Sequence, residues 1–258
     1  MASDKTIILV TGGNGGIGYE TVLALAAASP EHHILLASRS LEKGEKALQD
    51  INTALGDSSP HGTISVVKLD VTSQEDIAAL KTHITETYGI LDVLINNAGI
   101  IVYQDVPAIT SMRQTFEANV FGPALVTEAL EPLLKESKTP LLIYVSSSQG
   151  SITRRLDPTA EHRHVRGDHY RMSKSALNML AACHRYNYAE WGCKVLAFCP
   201  GWCISNLTGE KGREMRKKGG ARDPNEPANA LVEIVLGKRD ADIGKNGLVS
   251  VDGGVLPW

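Results

Sequence analysis

The sequence predicts an α/β protein: a doubly wound parallel sheet of the Rossmann type, with about seven strands and helices on both faces. Three observations carry this expectation. Short apolar runs alternate with longer amphipathic segments along the chain. Several runs, such as 7–10 and 141–145, are apolar at every position, as a strand buried on both faces requires. A glycine-rich turn, TGGNGGIG at 11–18, joins the first run to the first amphipathic segment, where open α/β sheets take phosphates.

The elements follow in order. TIILV (6–10) leads through the turn to YETVLALAAA (19–28), and HILLAS (33–38) leads to LEKGEKALQDINTAL (41–55). TISVVKLD (63–70) precedes SQEDIAALKTHITETY (73–88), and LDVLINN (91–97) precedes one long helical stretch at 111–134. PLLIYVSS (140–147) comes before HYRMSKSALN (169–178), and KVLAFCP (194–200) follows. No linker or repeat interrupts this rhythm, so residues 1–258 are expected to form one domain. Two polar segments break it. One is an insertion at 151–168, with an Arg pair and three His close by (His162, His164, His169). The other is a lid near 203–224, where 205–224 carries six cations against three carboxylates. Long loops in compact domains are often functional lids.

Composition narrows the classes. With 43% hydrophobic and 21% charged residues, the chain can bury a sizeable core. A net charge of −3 argues against a general nucleic-acid binder. The first apolar run is too short to cross a bilayer and no cleavage pattern follows it, which leads us to expect a soluble, cytoplasmic protein with no membrane partner. The four Cys (183, 193, 199, 203) lack zinc-ligand spacing and read as reduced thiols. The three His of the insertion match no recognised metal pattern either, and no metal is expected.

The glycine turn predicts a phosphate cradle. Gly12, Gly16 and Gly18 permit a tight turn and close backbone approach, Asn14 and Ile17 fall within it, and the following helix offers free N–H groups. The second strand ends Ala37-Ser38-Arg39-Ser40, with no carboxylate to accept from a ribose 2′-hydroxyl. Arg39 suits a 2′-phosphate instead, which points to NADPH/NADP+. Tyr170 stands four places before Lys174. With 7 Tyr and 14 Lys in 258 residues, roughly 0.4 such pairs arise by chance, so the spacing alone decides nothing. Its meaning comes from the company it keeps.

That company resembles the short-chain dehydrogenase/reductase family over essentially the whole length, with its closest likeness to the NADPH-dependent carbonyl reductases. The matching stretches are TGGNGGIG, the Asp70 of LDVTS, NNAG (96–99), Asn119 in EANVFG, SSSQG (146–150), YRMSK (170–174) and Pro200-Gly201. The resemblance implies a hydride transfer from NADPH to a ketone or aldehyde of a small, hydrophobic or aromatic molecule. It makes Tyr170 the general acid, with Lys174 lowering its pKa and binding the nicotinamide ribose. It has Ser147 polarise the substrate oxygen, and Asn119 hold a water that connects Lys174 to solvent. Asp70 and Val71 would meet the adenine, Asn97, Ala98 and Gly99 the adenosine side, and Pro200, Gly201 and Ser205 the nicotinamide end. Elementary chemistry agrees. A phenol of pKa near ~10 is a poor proton shuttle until a nearby cation favours its ionised form.

Some features depart from the family pattern. Ser146 and Ser148 flank Ser147, so a shift by one position stays open, because side chains alternate along a strand. The Ser147–Tyr170 separation is about twice the usual one, which makes a monomer or homodimer the expectation over a tetramer. Gly15 stands where many NADPH-preferring members have a basic residue. Cys203 replaces a valine, for packing or as a redox-sensitive thiol. Two other functions remain as alternatives. One is a sensor that binds NADP(H) without turnover, and the other is a biosynthetic enzyme that uses the same four residues for imine reduction.

Overall fold

The computed structural model describes residues 5–56, 60–102, 106–160 and 166–258. Eight strands form one sheet: β1 (Thr6–Thr11), β2 (His32–Ser38), β3 (Thr63–Lys68), β4 (Val93–Asn96), β5 (Leu141–Val145), β6 (Lys194–Cys199), β7 (Leu248–Ser250) and β8 (Val255–Leu256). Their order is β3-β2-β1-β4-β5-β6-β7-β8, and the first seven run parallel. The eighth is the addition to the seven expected. Gly253 and Gly254, both at positive φ (92° and 67°), reverse the chain and return Val255 antiparallel beside Val249.

Helices cover both faces. α1 (Gly16–Ala28), α2 (Leu41–Leu55) and α9 (Asn225–Val235) lie on one side, and α3 (Gln74–Thr87), α5 (Gly122–Lys135) and α7 (Asp168–Asn187) on the other. Successive strand residues explain the pairing of layers. Ile8 and Val10 pack with Val22, Ile51 and Leu231, whereas Ile7 and Leu9 pack with Leu80, Leu130 and Leu177. Ser40 and Ser73 cap α2 and α3 by accepting from the N–H groups of Lys43 and Asp76.

The stretch expected as one helix over 111–134 divides into three. α4 (Ala108–Phe116) is followed by a π-helical turn, Glu117–Phe121, and then by α5. Gly122 follows the turn, and a Cβ there would come 2.8 Å from the Val71 carbonyl oxygen, so the two backbones pass close together. Such π turns recur at functional sites, and Asn119 lies within this one. The insertion contains a short helix, α6 (Ile152–Leu156), capped by Ser151. His162 and His164 lie outside the described residues, while His169 Nδ1 is 2.9 Å from Ser111 Oγ. The lid, expected as a loop, holds α8 (Gly209–Lys218), which has no buried residue. A four-residue helix, α10 (Asp240–Ile243), precedes β7. No described helix is long and apolar enough to cross a membrane.

Candidate active site

The strand order reverses direction between β1 and β4, and a crevice opens beyond the carboxyl ends of the strands there. A cleft of about 1220 Å³ occupies it. That exceeds the roughly 300–1,000 Å³ of most single-ligand sites, leaving room for a dinucleotide and a second molecule together. Gly12, Asn14, Gly16, Ile17, Arg39, Asp70, Val71, Asn97, Ala98, Gly99, Ser147, Tyr170, Lys174, Pro200, Gly201 and Ser205 all line it. Of the predicted site residues, Gly18 and Asn119 lie behind the wall.

The cradle is built from backbone constraints. Gly12 and Gly16 adopt φ of 66° and 55°. α1 starts with no side-chain cap and no acidic residue in its first turn, so its leading N–H groups remain for an anion. Gly18 is needed for packing: a Cβ would lie 2.3 Å from the Gly12 carbonyl oxygen and 2.5 Å from Asn97 Nδ2. Thr11, which the motif includes but whose role the sequence does not show, stitches the switch point. Its Oγ1 accepts from the N–H groups of Asn97 and Ala98, both at 2.9 Å. Asn97 Nδ2 donates to Thr11 O at 2.9 Å. Gly18→Ala should therefore destabilise the fold by about 1–3 kcal/mol through overpacking and weaken dinucleotide binding at least tenfold. Thermal melts and NADPH titration check both, and an unchanged affinity would remove Gly18 from the cradle's construction.

At the far end of the cleft, Arg39 is exposed, and Lys43 on the first turn of α2 joins it. Sequence reasoning missed Lys43, because a lysine early in an amphipathic helix carries no signal of its own. Asp70 Oδ1 accepts from Thr72 N–H at 2.9 Å and from Thr72 Oγ1 at 2.7 Å, a turn that fixes the carboxylate at the rim.

At the other end, three elements meet. Lys174 is buried on α7, and its Nζ donates to the Val145 carbonyl at 2.8 Å and lies 5.7 Å from the centre of the Tyr170 ring. Burial pushes the Lys174 ammonium down to about 8, against a weaker opposite pull from Cys199. Asn119 is fully buried. Its Oδ1 accepts from Ile100 N–H at 2.8 Å, and its Nδ2 donates to Ile100 O at 2.9 Å and to Ser173 Oγ at 3.1 Å. The amide is thus spent on Ile100 and α7. Asn119 braces the π turn against the helix that carries Tyr170 and Lys174, with both N–H groups of its amide engaged.

The three serines differ in what they meet. Ser146 is buried and donates to Asn178 on α7. Ser147 lines the cleft, and its hydroxyl accepts from Gln149 N–H at 3.1 Å, which leaves the hydroxyl proton for an oxygen in the cleft. Ser148 also lines the cleft, and its N–H points to Cys199 Sγ at 3.1 Å. Gly150 lets this turn lie on α7, since a Cβ would come 2.5 Å from the Lys174 carbonyl carbon.

The lid leaves and returns through one stem. Arg222 N–H donates to Trp202 O and Ile204 N–H to Arg222 O, both at 3.0 Å. The Arg222 guanidinium pairs with both carboxylate oxygens of Asp252 (3.0 and 3.2 Å) and with Glu226 (3.3 Å), and packs under Gly201. Ser205 lies against the cradle, 3.4 Å from where a Gly16 Cβ would stand. Cys203 is buried, its thiol donates to Pro200 O at 2.9 Å, and burial pushes it up to about 12. A thiol so placed packs the stem and stays protonated, which favours packing over redox sensing.

The geometry has sequence-level counterparts. Residues 6–216 match the short chain dehydrogenase family. The chain belongs to that family. As a short-chain dehydrogenase it is an oxidoreductase of a group that uses NAD(H) or NADP(H). It is similar to the short-chain dehydrogenase anuI of Penicillium roqueforti, 34% identical over 84% of this chain and 86% of the relative. The short-chain dehydrogenase/reductase tropE of Talaromyces stipitatus is 30% identical over all of both chains. Carbonyl reductase [NADPH] 1 of Mus musculus is 27% identical, again over all of both chains. A solved NADPH-bound carbonyl reductase from chicken fatty liver shares the fold, with a TM-score of 0.79 at 24% identity and full coverage of both chains.

Proposed function

We propose that this short-chain dehydrogenase reduces the carbonyl of a small ketone or aldehyde with NADPH. One observation carries the reading: the buried Lys174 ammonium lies beside the Tyr170 ring, in the same cleft as Ser147 and the glycine cradle. The uncapped start of α1 fits a diphosphate, and Arg39 with Lys43 fits a 2′-phosphate. When bound, the reduced nicotinamide supplies the hydride. The chain's own residues do the rest. Ser147 donates its hydroxyl proton in a hydrogen bond to the carbonyl oxygen and orients it. Tyr170 transfers its phenolic proton to that oxygen as negative charge develops there. The Lys174 ammonium stabilises the phenolate left behind. Asn119 holds the π turn and α7 in register, so that these groups keep their spacing.

The test is NADPH absorbance decay over a panel of ketones, quinones and aldehydes, with the alcohol product measured. Stoichiometric alcohol formation is expected for at least one class. Tight NADPH binding with no turnover of any member would mark a sensor instead. The cofactor assignment has its own check. Arg39→Asp should shift preference from NADPH toward NADH by about 10–100-fold in kcat/KM, the worth of one charge-assisted phosphate contact. An unchanged ratio would remove Arg39 from 2′-phosphate recognition.

A further inference from the structure

Arg216 stands out within the cleft. It sits in the last turn of α8 and lines the cleft with Met215, Leu207 and Thr208. Its Nη1 donates to the Cys203 carbonyl at 3.2 Å, which fixes the plane of the guanidinium. Its Nε is buried with no hydrogen-bond partner among the described residues. Nη2 makes no hydrogen bond and Arg216 enters no ion pair among the described residues. A half-buried cation held in place without a counter-charge is costly unless a ligand supplies one.

The helix dipole does not account for it. Cations suit the last turn of a helix, but Lys217 and Lys218 already stand there, exposed to solvent. Arg216 alone of the three turns into the cleft. Its surroundings reinforce the charge. Arg113 and Arg166 line the same cleft without ion pairs among the described residues, and Glu117 and Asp70 are the carboxylates that line it. Asp70 is committed to Thr72. Arg39 and Lys43 are set apart at the end of β2.

We propose that Arg216 is a specificity-determining residue: it takes a carboxylate or comparable anionic group carried by the carbonyl substrate. This rests on the reductase reading above. The lid thus selects acidic carbonyl compounds, with the apolar Leu207 and Met215 contacting the body of the molecule and the free edge of the Arg216 fork taking the anion.

The test uses a matched pair, 4-carboxybenzaldehyde and its methyl ester, on the full-length protein. Two readouts are taken: kcat/KM from NADPH consumption, and calorimetric binding to the NADP+-loaded enzyme. Wild type should favour the acid at least tenfold. Arg216→Gln should lower the acid's kcat/KM and affinity by about 10–100-fold, mainly through KM, the size of one charge-assisted bond. The ester and NADPH affinity should stay within about twofold. An acid preference absent from wild type, or intact in Arg216→Gln, overturns the proposal. So does a variant that loses NADPH affinity while keeping the acid, which would assign the anion to the cofactor's diphosphate. If wild type turns over neither probe yet binds the acid through Arg216, the anion site stands and the reductase reading falls. If it binds neither, the site falls.

Discussion

Tyr170→Phe should lower carbonyl reduction by about 10²–10⁴-fold, the usual worth of a positioned general acid. The variant deletes one hydroxyl and keeps the ring that lies beside Lys174, so the cleft retains its shape. NADPH affinity should stay within about twofold and the melting temperature should be unchanged. Because the loss falls on a group that acts as the carbonyl oxygen gains charge, it should appear in kcat and kcat/KM alike. A loss expressed only as a raised KM, with kcat unchanged, would assign Tyr170 to substrate binding alone. Activity equal to wild type would sink the proton-transfer role.

Lys174→Met should abolish turnover to a similar extent while making the protein more stable. Burial lowers the ammonium from 10.5 to about 8, so below pH 8 the folded state carries a charge that costs about 3 kcal/mol. Met fills the same space without the charge, but leaves the Val145 carbonyl without its donor, at about 1–3 kcal/mol. The net gain should be about 1 kcal/mol, or some 2–4 °C in Tm for a chain of this size. The pH dependence fixes the sign. Between pH 8 and 10.5 the unfolded lysine holds a proton that the folded one has released, so wild-type stability rises relative to the variant. The gap should therefore be widest below pH 8 and reverse toward pH 10.5, where only the missing hydrogen bond remains. Urea melts of both proteins across that range test it, and a pH-independent gap would mean that Lys174 is not desolvated. At neutral pH most Lys174 keeps its proton, so the reduction assay and the stability cost belong to the same charged species.

The parts of the site that were legible are those set by local rules. The glycine cradle follows from backbone geometry, and Tyr170 and Lys174 share one helix face by their spacing. The parallel sheet follows from apolar runs buried on both faces. What stayed illegible depends on contacts distant in sequence. The π turn that holds Asn119 has no periodic signature, and neither has the close approach of Gly122 to Val71 beside it. Ser146 and Ser147 differ only in which one meets α7. Lys43 enters the site because the start of α2 packs beside the end of β2. α8 has no apolar stripe to announce it, since none of its residues is buried. Cys203 reads as packing only once its burial and its bond to Pro200 are known.

The stem at Trp202, Ile204 and Arg222 has an evolutionary consequence. A segment that departs and returns through one clasp meets the rest of the chain at few other points, among them the bond from Ile101 N–H to Leu207 O at 3.2 Å and the contact of Ser205 with the cradle. Its length and composition can drift at small entropic cost, with the fold left untouched. With substrate choice assigned to the lid as proposed, substrate range and hydride chemistry can be inherited separately. Grafting 206–221 between relatives should transplant preference while the recipient keeps its own Ser205, cradle and proton donor.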